Sequence, residues 1–347
     1  MSKYIIVDGH EDIAFNALQL HRNFVDKIST IRATDLSKKE GTPTISLPEL
    51  ERGNVRIVFG TIWVSPYAKD PLSKRFTLKN SKVVQAEAIA QLEYYTKLER
   101  QGFINIIRSK KQLNQHLSIE TKVGLAILME GANPILCPKD AKDWFKAGVR
   151  IVAPAWHRTR YSGGTGAPGP LTKIGKELMA EMDASGLILD VSHMAEESFF
   201  NALDLFRGEV IASHSNSRRY VPTDRQLSDE MIKTLVSRGS VIGTVLFNGF
   251  LKPNWKKGKG KNEVDLASVV KHMDNVCKLV GDSLHSGLGS DLDGGFGAES
   301  IPKGMETVAD LQKIGEALSK EGFSTSDVSN LMGGNWIRLL ERALPDV

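Results

Sequence analysis

Cysteine is nearly absent: Cys137 and Cys277 stand far apart, with no CxxC pair. That excludes a disulfide scaffold and a thiolate-built zinc site, suits a reducing compartment, and leaves both as expected small buried hydrophobes. Long apolar runs are lacking too. No stretch approaches the roughly 18 uninterrupted apolar residues of a membrane span, and the opening MSKYIIVDGHEDIAF holds too short a run for a signal peptide. No membrane association is expected, and the default location is the cytoplasm. Neither sign of charge dominates. The 45 Lys and Arg against 41 Asp and Glu give a net +4, without the clustered basic stripe and interleaved aromatics that a nucleic-acid groove needs. Nucleic acid is therefore not an expected partner. A Gly-rich dinucleotide fingerprint is also missing after the first apolar run, which weighs against an open nucleotide-binding sheet.

What is present is an ordinary globular composition, 41% hydrophobic and 25% charged over 347 residues, enough to bury a substantial core. Short β-branched runs alternate with longer helical patterns. The runs predict strands at Tyr4–Val7, Arg56–Val64, Gly124–Met129, Val149–Pro154, Leu187–Val191, Glu209–Ser213, Ser240–Phe247 and Gly287–Ser290. Most are nearly continuous in apolar residues, as parallel strands buried on both faces are. Amphipathic patterns predict helices at Ser81–Arg100, Thr172–Ala184, Glu196–Phe206, Ser228–Ser237, Leu266–Val280, Met305–Lys320 and Ser326–Ala343. Eight strands with intervening helices predict a (β/α)8 TIM barrel, and no repeat or linker divides residues 1–347 into more than one domain. Gly/Pro/Lys-rich loops are expected at Arg158–Leu171 and Lys252–Asn262, and residues 22–55 and 65–80 lack periodicity. The first of those loops, which follows Trp156, reads as a lid or equally as a surface loop. The second reads as a solvated loop in preference to an anion site.

Polar residues fall where these strands end: His10 and Asp12 after the first, Glu130 after the third, His157 after the fourth. His193 and His214 follow the fifth and sixth, and Asp291 and Asp293 the eighth. In a barrel those ends converge at one mouth, where active sites lie. Imidazoles and carboxylates without thiolates suit Zn, Mn, Fe or Ni. On an extended segment, His10 and Asp12 share a face because side chains repeat every two residues. Each signal alone has a bland reading, a turn, a cap or a hydrogen-bonded core histidine. Joint occurrence favours a metal site, because three of the eight histidines terminate strands in like contexts, DGHED, DVSHM and IASHS. The other five, His21, His116, His157, His272 and His285, default to surface or packing roles.

With VDGHED, ILMEGANP, LILDVSHM, IASHSNSR, GLGSDLDGG and MGGNWIRLLE in this order, the chain resembles the renal (membrane) dipeptidase family over nearly its whole length. These are binuclear zinc peptidases related to the amidohydrolases. The resemblance implies a (β/α)8 barrel holding two zinc ions, with His10 and Asp12 as ligands of the first, Glu130 bridging, and His193 and His214 as ligands of the second. It gives Asp291 the acid/base role beside a bridging hydroxide, and Arg225 the substrate carboxylate. Two departures stand out. Trp156 occupies the place of a substrate-contacting histidine, with His157 one step later, and Phe247 stands where the family has a tyrosine. The implied activity is hydrolysis of dipeptides, including those with a D-residue at the C-terminal position. Competing readings are hydrolysis of N-acyl amino acids, cyclic amides or lactones on the same metals, and a catalytically inactive binding protein. The expected partner is a small peptide substrate, with the oligomeric state, a homodimer included, left open.

Overall fold

The computed structural model describes residues 4–35, 40–69, 76–118, 122–258 and 260–347. Eight parallel strands form its centre: β1 (Ile6–Glu11), β2 (Val55–Trp63), β3 (Val123–Glu130), β4 (Val149–Ala153), β5 (Ile188–Asp190), β6 (Val210–Ile211), β7 (Ile242–Thr244) and β8 (Ser286–Leu288). They pair in the order β7-β8-β1-β2-β3-β4-β5-β6. A parallel bridge between Ala212 and Ile242 joins the two ends of that order, with Ala212 N–H donating to Val241 O at 3.1 Å and Gly243 N–H to Ala212 O at 2.8 Å. The result is the (β/α)8 barrel that the alternation of runs implies.

Every strand expected from the sequence is present, with shifted ends. β1 continues through His10 to Glu11 where a strand ending at Val7 is expected, and β7 is shorter than its apolar run. A ninth strand, Ile104–Ile106, has no sequence counterpart above. It pairs with Val123–Leu125 on the lower part of the β3 edge, while β4 takes Ile127–Glu130. The aperiodic stretches hold short helices at Ile28–Thr34 and Leu47–Arg52, and a small hairpin, Tyr67–Lys69 with Phe76–Leu78.

Alternation along the strands sets the layers. Ile57 and Phe59 on β2, Ala126 and Leu128 on β3, Ile151, Ile188 and Ile211 form one buried cluster with Trp336. The intervening residues, among them Val58, Leu125, Ile127, Val152, Leu189 and Val210, belong to the cluster beneath the outer helices. Carried two residues further toward the mouth, the inner face turns polar: Thr61 follows Phe59, Glu130 follows Leu128, Asp190 follows Ile188 and Ser213 follows Ile211. The barrel is apolar at its floor and ionisable at its mouth.

Trp336 closes the floor, its ring 5.0 Å from Phe59 and its indole N–H donating to Leu288 O at 2.8 Å. The helix carrying it was expected to run unbroken over Ser326–Ala343. Instead a π turn at Asn330–Gly334 separates Thr325–Ser329 from Asn335–Ala343, where Gly333 lies so near β1 that a Cβ would sit 2.7 Å from Ile5 O. Side-chain caps start the outer helices where the sequence places Ser, Thr or Asp: Thr172, Ser228 and Asp265 accept from Gly175, Met231 and Ser268 N–H at 3.0, 3.2 and 3.1 Å. One expectation is corrected: Cys137 is exposed and Cys277 only half-buried, because Cys137 immediately precedes a surface 3-10 turn, Pro138–Asp140. Among the described residues, no helix is long and apolar enough to cross a membrane.

Candidate active site

At the barrel mouth the strand-end residues form one buried cluster. Glu130, the last residue of β3, stands at its centre. Glu130 Oε1 lies 3.1 Å from His193 Nε2 and 3.2 Å from His214 Nε2, and these two nitrogens are 3.0 Å apart. On the other side, Glu130 Oε2 is 3.8 Å from His10 Nε2, which is 3.8 Å from Asp291 Oδ1. His10, Asp12 and Asp291 offer ligand atoms that all lie within 4.8 Å of one another, as do His10, Glu130 and His214. Glu130 thus faces His193 and His214 on one side and His10 on the other, and His10 is common to both groups. His10 and Asp12 do point together, as their spacing implies.

The histidines are held by groups that orient their lone pairs. Ser213 Oγ donates to Asp190 Oδ2 at 2.5 Å, so its contact with His214 Nδ1 at 2.7 Å is one in which it accepts, which fixes the proton on Nδ1 and leaves Nε2 bare. Asp190 is fixed in turn by Ser192 and Ser213 N–H at 3.0 and 2.9 Å. Thr165 Oγ1 lies 3.1 Å from His193 Nδ1 and Thr165 N–H donates to His193 O at 2.9 Å. Thr61 Oγ1 donates to Asp12. His193 and Asp291 have left-handed backbone, φ 66° and 59°, which costs free energy for non-glycine residues and recurs at functional sites.

The electrostatics of the cluster favour positive charge. Burial, then repulsion from Asp12 and Asp291, pushes Glu130 well above the usual carboxylate range. Burial and Asp12 do the same to Asp291, against the pull of Arg225. Asp12 rises to about 6, chiefly by burial. His10 falls to about 3, by burial and the nearby Arg225, and His193 and His214 fall well below the usual imidazole value. Both ring nitrogens of His10 are buried without a hydrogen-bond partner, which a satisfied core histidine would not tolerate. Neutral imidazoles, clustered carboxylates and an orphaned ring fit divalent cations.

Arg225 approaches from the loop after β6. Its Nη2 donates to His214 O at 2.6 Å and its Nη1 to Ser215 Oγ at 3.2 Å, its Nε has no partner, and its guanidinium lies 5.4 Å from the Phe250 ring. A cavity of about 510 Å³ opens over the cluster and takes in Asp12, Glu130, His193, Arg225 and Asp291 together with Trp156, His157, Phe247 and Phe250. Trp156 and His157 both reach it because they lie beyond β4 in a bent segment, where strand alternation no longer applies. His157 Nδ1 is 3.4 Å from the Tyr67 hydroxyl, and Trp156 stands 6.2 Å from His193. The glycine-rich loop is fastened over the site through Thr165 and through Gly166 N–H, which donates to Asp224 at 2.7 Å.

Asp293 does not join the cluster: it turns to Thr44 N–H and Oγ1 at 2.8 and 2.7 Å and to Ile45 N–H at 3.2 Å, tying the segment before Leu47 to the mouth. The sequence reading missed the supporting set, Thr61, Thr165, Asp190 and Ser213. Two-residue alternation from the apolar floor would have marked Thr61, Asp190 and Ser213; nothing in the sequence marks Thr165.

Residues 1–344 match the family described as membrane dipeptidase, peptidase family M19. The chain belongs to this family. Membrane dipeptidases of this kind are metal-dependent hydrolases, and two solved structures share the fold. A dipeptidase described as a family M19 metallopeptidase aligns with a TM-score of 0.83 at 24% identity, covering 99% of both chains. A metallopeptidase from Rhodobacter sphaeroides, liganded with a phosphinate mimic of the dipeptide L-Ala-D-Ala, aligns at 0.81 and 24% identity, covering 99% of this chain and 100% of that one. An uncharacterized dipeptidase of Schizosaccharomyces pombe is 21% identical over 356 aligned positions, 98% of this chain and 81% of the relative.

Proposed function

We propose that this membrane-dipeptidase family member, its residues 1–347 forming one barrel domain, hydrolyses the amide bond of dipeptides. The observation that carries the reading is the common cavity: a carboxylate-centred imidazole cluster with a buried arginine beside it. His10 and Asp12 would hold one cation, His193 and His214 another, and Glu130 both, with zinc the metal the family resemblance implies. Bound there, two divalent cations would supply Lewis acidity toward the carbonyl and lower the pKa of water.

The chain's own residues do the rest. Arg225, anchored through its Nη atoms and lying over the Phe250 ring, presents its remaining donors to the substrate's C-terminal carboxylate. That fixes the scissile carbonyl against the cluster. Asp291, facing His10 at 3.8 Å, takes a proton from the attacking water and delivers it to the leaving amine. Trp156, His157, Phe247 and Phe250, which line the cavity, exclude solvent from the reacting amide.

The test is elemental analysis of the purified protein beside an assay of L,L- and L,D-dipeptides, N-acyl amino acids and lactones. Metal-dependent dipeptide turnover is the expected result. Turnover of N-acyl amino acids or lactones alone would assign the other amidohydrolase chemistry, and less than about one ion per chain with no turnover would favour the inactive binder.

A further inference from the structure

Beside the polar cluster and the charged Glu40 and Lys257, the cavity lining carries six aromatic residues, and they fall into two separate walls. One begins at the carboxylate anchor. Arg225 lies over Phe250, Phe250 meets Phe247 edge-on at 5.1 Å, and Phe247 meets Phe296 at 4.9 Å and Trp255 at 5.5 Å. The other begins at the histidines. Trp156 stands 6.2 Å from His193, Trp63 meets Trp156 at 5.1 Å, and Phe15 meets Trp63 at 4.8 Å. Phe15, Trp63, Trp156, Phe247, Phe250 and Phe296 all line the same cavity.

A dipeptide held by its carboxylate on Arg225, with its amide at the Glu130 cluster, has little freedom in where its side chains go. The C-terminal residue is the one bonded to the anchored carboxylate, so its side chain meets the phenylalanine wall. The N-terminal residue lies beyond the scissile carbonyl, on the His193 side, and meets the tryptophan wall. Resting on the dipeptidase reading, we infer that the preferred substrates carry a bulky apolar, aromatic side chain at both positions. Phe247 and Phe250 select the C-terminal residue, and Trp63 and Trp156 select the N-terminal one. At Phe247 the ring carries no hydroxyl, so this wall reads shape and apolar area, with carboxylate recognition left to Arg225. Edge-on aromatic contacts favour a ring over an aliphatic chain of equal bulk.

The experiment compares kcat/KM of the metal-loaded protein for Ala-Ala, Ala-Phe, Phe-Ala and Phe-Phe. It also measures binding of free phenylalanine and alanine through the fluorescence of the cavity tryptophans. Each Ala to Phe change should raise kcat/KM roughly 10-fold or more, and phenylalanine should bind more tightly than alanine. Phe247→Ala should narrow the Ala-Phe to Ala-Ala ratio and leave the Phe-Ala to Ala-Ala ratio wide; Trp156→Ala should do the reverse. Thermal melts show whether each variant is folded, and Phe247→Leu replaces Phe247→Ala if the latter is not. Dipeptide turnover with flat ratios overturns the two-wall inference and leaves the dipeptidase reading standing. No dipeptide turnover with tighter phenylalanine binding overturns the dipeptidase reading and keeps the aromatic ligand class. Neither turnover nor a phenylalanine preference overturns both.

Discussion

Gly243→Ala tests how the barrel wall sets the geometry of the cluster. On β7, a Cβ at position 243 would sit 1.9 Å from Ser213 O, and the same carbonyl lies 1.9 Å from a Cβ at Gly289, just beyond the neighbouring β8. Real Cβ atoms come no closer than 3.0 Å, so Ser213 must retreat by more than about 1 Å, the scale of misplacement that costs catalysis dearly. Ser213 Oγ is the atom that holds His214 Nδ1 at 2.7 Å and Asp190 at 2.5 Å, so the shift is handed directly to His214. Overpacking of this kind costs about 1–3 kcal/mol. With an unfolding entropy of about 2.1 cal/mol/K per residue over 347 residues, Tm should fall by only roughly 1–4 °C. A 1 Å misplacement costs about 100-fold in rate. The variant should therefore melt cooperatively a few degrees early, hold less metal, and lose about two orders of magnitude in dipeptide kcat/KM. Activity within about threefold of the parent, with metal content unchanged, would refute the transmission from β7 through Ser213 to His214.

His193→Ala should lower both metal content and activity, whereas Asp291→Asn should abolish activity with the metal retained; loss of metal in Asp291→Asn would recast Asp291 as a ligand alone. Arg225→Lys keeps the charge but loses the fork, so kcat/KM for dipeptides should drop about 100-fold, while C-terminally amidated dipeptides, which cannot use the fork, should discriminate little between the two proteins. Away from the site, His272 is buried against Tyr220, accepts from Ser217 N–H at 3.1 Å, and is lowered to about 4 from 6.5 by burial and then Lys271. The unfolded chain binds the extra proton between these values, so this residue's contribution is present above pH 6.5 and lost as pH falls toward 4, by roughly 3 kcal/mol at 1.36 kcal/mol per unit. His272→Gln keeps an acceptor for Ser217 and should flatten the stability profile measured by urea unfolding across that window; an unchanged slope would contradict it.

The barrel was legible because its strands are buried on both faces, which writes runs such as VRIVFG and VGLAIL into the sequence. Ile104–Ile106 was not, because three residues on the lower edge of β3 leave no run long enough to read. The cluster at the mouth was legible because its members end strands, and strand ends converge in space. The supporting residues were hidden for two reasons. Asp190 and Ser213 look like ordinary strand-end polar residues until the inner face is traced up from Ile188 and Ile211. Thr165 belongs to a loop whose path depends on tertiary hydrogen bonds to His193 and Asp224. Trp156 and His157 shared the second difficulty, since the chain bends after Ala153 and alternation ceases to say which side chain faces inward.

A two-cation centre for dipeptide cleavage at the Glu130 cluster sets the outcome of titrating metal-free protein with Zn2+ while following hydrolysis of Ala-Phe. Activity should rise from zero and level off at two equivalents per chain. A trace that stays flat, or activity already complete in the metal-free protein, would contradict it.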